Sequence, residues 1–148
     1  ICNGAPTVVP GTPNTGTVSL SNISLWNGSC GFADGLPERV FKLVLGGRSN
    51  VTVSTDGVGT DYDTVVYLLS SCAANATEVA GACHDDIDAT DPAPYNLRSD
   101  LTTTTPLEAG TYYIVVDMSS NSDAAWTDGA PAPDPAHFSV LVTVTAAP

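Results

Sequence analysis

Hydrophobic and polar residues alternate with period two along much of this chain. The cleanest run is residues 136–145. There Phe138, Val140, Val142 and Val144 share one face, and Ser139, Thr143 and Thr145 the other. Such alternation predicts a strand with one buried face. Residues 39–45 set Phe41, Leu43 and Leu45 against Val40, Lys42 and Val44. Val18 and Leu20 share a face within 17–25, and Val51 and Val53 point inward within 50–54. Residues 64–69 and 111–118 are apolar on both faces and read as central strands. Residues 100–105 form a Thr-rich strand, whereas 73–82 fit a strand or a helical turn equally. Gly46-Gly47, the Gly-rich 56–60 and the stretch 107–110 supply turns. No segment carries an amphipathic helical period. Short strands spaced by turn signals predict an all-β antiparallel sandwich.

The first 16 residues break this pattern. Pro6, Pro10 and Pro13 forbid a helix and suit an extended arm, so residues 1–16 read as a Pro-rich arm and 17–148 as one sandwich domain. The chain opens ICNGAPTVV, with no basic start and no long apolar stretch, as expected for a mature product or a piece of a longer chain. Loops are predicted over 27–37, 86–99 and 119–135. Four sequons begin at Asn22, Asn27, Asn50 and Asn75, and chance accounts for them in a chain this rich in Ser and Thr.

Composition supports the β reading: the chain has 148 residues, with 16 Val and 18 Thr. Net charge is -12, which makes nucleic acid and anionic membranes poor partners. No apolar run approaches the roughly 20 residues of a membrane span. Acid is biased to 13 Asp against 3 Glu, and Asp suits turns and hard-cation loops. Only 4 Lys and Arg are available to neutralise them.

The acids cluster around one stretch, DYDTVVYLLSSCAANATEVAGACHDDID, residues 61–88. Asp61 and Asp63 open the strand 64–69, and Asp85, Asp86 and Asp88 follow the second cysteine. Calcium takes six to eight oxygens, several from carboxylates on loops. Crowded carboxylates repel one another and a cation relieves them. The expected ligands are therefore Asp61, Asp63, Asp85, Asp86 and Asp88. EF-hand spacing is absent, and solvated turn aspartates are the plainer alternative.

Four cysteines, an even number, suggest disulfides and an oxidising compartment. The most local pairing is Cys72–Cys83, which leaves Cys2–Cys30. That arrangement would pin the HDD segment near the end of strand 64–69. Spacing does not fit zinc knuckles, and only His84 and His137 could assist. GxSxG and HExxH motifs are absent, so no catalytic role is expected. Both histidines read as surface or loop residues. Trp26 and Trp126 fall in loops; they are candidates for stacking on sugar rings, against the commoner role of capping a core.

Several segments together resemble the bacterial pre-peptidase C-terminal domain: DTVVYLLSSC, GACHDD, SDLTTTTPLEAGTYYIVVDM and HFSVLVTV. The resemblance spans residues 38–144 and is most specific in LEAGTYYIVVD. It implies a jelly-roll-like, CUB-like β-sandwich that is secreted and serves as a non-catalytic accessory, often beside proteases. Some relatives bind calcium or fibrous substrates. The loop 119–135 is longer than that family's, and the arm with Cys2 and Cys30 is an addition to it.

The sequence is thus expected to encode an extracellular or cell-surface, bacterial, calcium-binding module. Two non-catalytic roles remain open, with a hydrolase the least expected third. One is a structural subunit that self-assembles into a filament or sheath, or docks on a neighbouring surface protein. The other is an accessory module that binds polysaccharide or fibrous protein. The absence of an accompanying catalytic unit favours self-assembly. Val8 and Val9 bury little within the arm itself, and such a segment can add to a sheet edge of another copy or fold back on its own domain.

Overall fold

The computed structural model describes residues 2–19, 24–31, 36–73, 76–88, 96–119 and 134–148. Among these, eight strands form two four-stranded antiparallel sheets. The strands are β1 (Asn14–Val18), β2 (Glu38–Leu45), β3 (Ser49–Ser54), β4 (Thr64–Leu69), β5 (Glu78–His84), β6 (Asp100–Thr102), β7 (Gly110–Met118) and β8 (Ala136–Ala146). One sheet has the order β1-β8-β3-β6 and the other β2-β7-β4-β5. First pairs with last, second with seventh, third with sixth and fourth with fifth. The pairs alternate between sheets, as when one long hairpin is wound around a barrel axis, which is a jelly roll.

The two inner faces share one core. Phe41, Leu43, Leu45, Val66, Leu68, Ile114 and Val116 come from one sheet, and Val51, Val53, Phe138, Val140 and Val142 from the other. The rings of Phe41 and Phe138 meet edge to face, 5.8 Å between centroids. Period-two alternation places Phe41, Leu43, Leu45, Val51, Val53, Phe138, Val140 and Val142 inward, as the sequence predicts; in β4 and β7, apolar on both faces, the pattern did not say which face turns in. The undecided stretch 73–82 contributes to β5, which carries a register shift against β4 near Gly81, a residue with φ of +69°.

The β2-β7-β4-β5 sheet also has a covered outer face. Val40, Val65, Tyr67, Leu69 and Val115 form a second apolar cluster there, with Cys2, Ala5, Trp26 and Cys30 packed against it. Two segments lie across this face: the N-terminal residues and a strap of residues 24–31. At Gly28 a Cβ would stand 2.6 Å from Tyr67 Cδ1 and 2.9 Å from Cys83 Sγ, so the strap sits too close for any side chain there. The double cover explains why β4 is buried at all six positions and reads as an unbroken apolar run.

The disulfides are Cys2–Cys72 and Cys30–Cys83, which corrects the expected Cys2–Cys30 and Cys72–Cys83. Strand register supplies the reason. Cys83 lies opposite Tyr67, five residues from Cys72, or roughly 16 Å along an extended chain. A disulfide needs Cα atoms within about 7 Å. Ala82 points into the core, so Cys83 points outward to the strap. The strap is therefore stapled to β5 and the N-terminal segment to the connection that follows β4, and the two segments are not stapled to each other.

The arm is part of the domain, and the boundary expected at residue 16 falls inside β1. Lys42 N donates to Pro6 O and Val8 N to Lys42 O, both at 2.9 Å, so the arm runs parallel beside the edge strand β2. Val8 enters the core at 3% exposure. Gly11 N then donates to Val142 O at 2.8 Å, and β1 pairs with β8. The arm closes one open side of its own sandwich.

Candidate metal centre

Asp63, Asp85 and Asp86 each offer a carboxylate oxygen, and these atoms lie within 4.8 Å of one another. Strand pairing brings them together. Asp63 immediately precedes β4, and Asp85 and Asp86 immediately follow β5. The strands are antiparallel with Val66 opposite His84, so the start of one and the end of the other share one end of the sheet. No disulfide is needed to pin the HDD segment there.

The other two expected ligands lie apart from this group. Asp61 is drawn to the opposite sheet. Its N donates to His137 O at 3.0 Å, while its carboxylate accepts His137 N at 2.6 Å and faces His137 Nδ1 at 2.8 Å. Residues 61–63 therefore cross between sheets, with Tyr62 fully buried at the crossing. The i, i+2 rule that would put Asp61 and Asp63 on one face does not apply to a crossover. Asp88 forms an isolated backbone bridge with Asn96 and is absent from the carboxylate group.

A buried hydroxyl network forms the floor of the site. Thr55, Thr64 and Ser99 are all fully buried. The Thr55 and Thr64 hydroxyls lie 2.7 Å apart, and Ser99 N donates to Thr55 Oγ1 at 2.9 Å. Ser99 Oγ contacts the carbonyl oxygens of Thr64 and Asp85, the latter at 2.7 Å. Backbone bonds Ser119 N to Asp63 O (3.1 Å) and Ile87 N to Arg98 O (2.8 Å) tie in two further segments. The three aspartates are thus carried by loops fixed to one another, which is what a preorganised site requires.

Electrostatics mark the same place. Burial pushes the Asp85 carboxyl up to about 6, and the neighbouring Asp86 adds to the rise; the Ser119 hydroxyl and His84 oppose it. Asp86 is raised as well, chiefly by burial. Among the described residues, Oδ1 of Asp85 and Oδ1 of Asp86 are buried without a hydrogen-bond partner. Buried oxygens of this kind carry a desolvation cost that a cation would offset.

Trp26 is half-buried against the outer cluster, and its Nε1 donates to Ala73 O at 3.3 Å. It caps that cluster, the commoner role for tryptophan. Trp126 lies outside the described residues. Sequence reading did not single out Thr55, Thr64, Ser99 or Ser119. The run Thr102–Thr105 and the many scattered threonines mask the few hydroxyls that are buried. Nor did it single out Glu38 and Asp117, which are both buried. For Asp117 a signal was present, since it is an acid within a strand apolar on both faces; Glu38, at the start of an alternating strand, gave none.

No family model matches the chain, and no curated protein matches it. Among solved structures the chain is similar to the pre-peptidase C-terminal domain of a collagenase from Bacillus anthracis, at 14% identity over 94% of each chain, with a TM-score of 0.46.

Proposed function

We propose that this chain is a non-catalytic, secreted or cell-surface β-sandwich module of a bacterial protein, and that it binds calcium through Asp63, Asp85 and Asp86. The observation that carries this reading is the convergence of three carboxylates within 4.8 Å, two of them with buried oxygens lacking hydrogen bonds among the described residues. Oxygen-only donors on tied loops suit a hard cation of variable coordination number, which favours calcium over zinc. The two disulfides fit an oxidising compartment. With its arm docked on its own sheets, the module suits an accessory role toward polysaccharide or fibrous protein better than assembly through that arm. The motif resemblance to pre-peptidase C-terminal domains supports the same role.

Isothermal titration with calcium chloride tests the metal. One site per chain is expected, lost in Asp86→Asn, with magnesium a weaker competitor because it demands a tighter octahedron. Absence of calcium heat at neutral pH, together with no metal by elemental analysis, contradicts the reading. Sedimentation at high concentration tests the role: a monomer with calcium present agrees with an accessory module, and long polymers would restore the self-assembling one.

A further inference from the structure

Two more carboxyls are buried on the strap-covered face. Glu38 opens β2 and Asp117 lies near the end of β7, directly opposite in the strand register. Their neighbours Phe41 and Val116 face the inner core, so by strand parity both acids face outward, beneath the strap. They are 2% and 3% exposed. Directly opposed side chains on one face stand about 4.5–5.5 Å apart at Cβ. Two ionised carboxyls that close in a dry site cannot both be maintained.

Their donors are unequal. Glu38 accepts Leu25 N at 2.9 Å, Trp26 N at 3.4 Å and the Tyr67 hydroxyl at 3.3 Å. Asp117 accepts Met118 N at 2.8 Å and shares the Tyr67 hydroxyl with Glu38. With the Tyr67 hydroxyl shared, two backbone amides at Glu38 against one at Asp117 favour the ionised form at Glu38 and leave the proton to Asp117. Those two amides belong to the strap, so the strap is seated on this carboxylate.

We propose that Glu38 and Asp117 hold one proton between them and act as a pH-sensitive latch that seats the strap of residues 24–31 on the sheet. The charged and titratable groups around the pair belong to several elements. Tyr67 of β4 bonds to Glu38, and Tyr62, before β4, lies within the field of Asp117. Glu78 of β5 acts on Tyr67 from the far end of the strap. Lys42 lies four residues along β2, roughly 13 Å away by strand rise. Arg39 donates to Thr17 O. Burial, then the charge of Glu38, pushes Asp117 up to about 8, and burial raises Glu38.

Loss of the shared proton places two charges in the dry site, and water must enter to solvate them. The near end of the strap then lifts. Its far end stays fixed, because Ser29 bonds to Glu78 through both N (2.8 Å) and Oγ (2.6 Å) and Cys30 is linked to Cys83. In acid, protonation of Glu38 removes the charge that strengthens the two amide bonds. The latch is tightest between these two steps.

Amide hydrogen exchange tests this, followed by NMR from pH 6 to 9.5 with calcium saturating and rates corrected for base catalysis. Protection at Leu25 and Trp26 should fall about tenfold or more between pH 7 and 9, while Ser29 stays protected. In Asp117→Asn the fall should vanish. Flat protection in the wild type, or a fall that persists in Asp117→Asn, overturns the proposal. If that variant does not fold, a carboxyl-carbon titration of the wild type decides. A step above pH 7 at this pair supports the latch, and two steps below pH 5 overturn it.

Discussion

The two sheets of this sandwich differ in what lies on their outer faces. The β1-β8-β3-β6 sheet leaves much of that face to water. Along β8, Ala136, Phe138, Val140 and Val142 are buried while His137, Leu141 and Thr143 are exposed. The β2-β7-β4-β5 sheet is roofed by two segments and two disulfides, and β4 is buried throughout. Alternation survives where one face meets water and is erased where both are covered. The roof also lets the second sheet carry buried acids, which the open face of the first would leave solvated.

The largest effect should come from removing the roof's staple. Replacing Cys30 and Cys83 together by Ala should cost about 2–5 kcal/mol in chemical denaturation. Exchange protection should fall first on Tyr67 and Val115 and last on Val51 and Val140, whose outer side needs no roof. Equal loss on both sheets would break the distinction between them.

Next comes pH. Asp85 and Asp117 have folded values of about 6 and about 8 against 3.8 for a free aspartate. A carboxyl raised on folding binds more protons in the native state between those values, so stability falls as pH rises through them. Calcium-free protein should therefore be less stable near pH 8.5 than near pH 5, by on the order of 2 kcal/mol. Saturating calcium should remove the lower part of that loss, from the metal-site carboxyls, and leave the upper part, from the roofed pair. Urea midpoints across this range, with and without calcium, check both halves.

Smaller substitutions sharpen the contrast. Gly28→Ala forces a Cβ against Tyr67 and Cys83 and should cost about 1–3 kcal/mol by overpacking. On the open face, Thr143→Ala removes an exposed side chain opposite Thr52 and should stay within about 0.5 kcal/mol of wild type.

The strands with one wet face were legible from alternation alone, β8 most clearly. The two-sided strands β4 and β7 were legible as central, but nothing in their pattern said what covered them. The strap and the N-terminal residues carry few apolar side chains, and they cover the sheet with backbone, glycine and cystine. Hydrophobic periodicity does not report such contacts. The disulfide pairing failed for a related reason. Sequence proximity favoured Cys72–Cys83, but the outward parity of Cys83 and its register opposite Tyr67 set its partner. Three of the five expected metal ligands converge because a hairpin places the ends of β4 and β5 together. Asp61 is lost to His137 because the chain changes sheets at Tyr62, and composition gives no sign of that crossing.

The proposed calcium site is tested most directly by thermal melting of the full chain at pH 7 and at pH 4.5, each in chelator and in excess calcium. A ligand that binds only the folded state raises the melting temperature, by an amount that grows with the logarithm of its concentration over Kd. At pH 7 the account predicts a calcium-dependent rise of several degrees, abolished in Asp86→Asn. At pH 4.5, where Asp85 is protonated, the rise should shrink toward zero. Identical melting curves in chelator and calcium at pH 7 would contradict the account, as would a calcium rise that survives unchanged in Asp86→Asn.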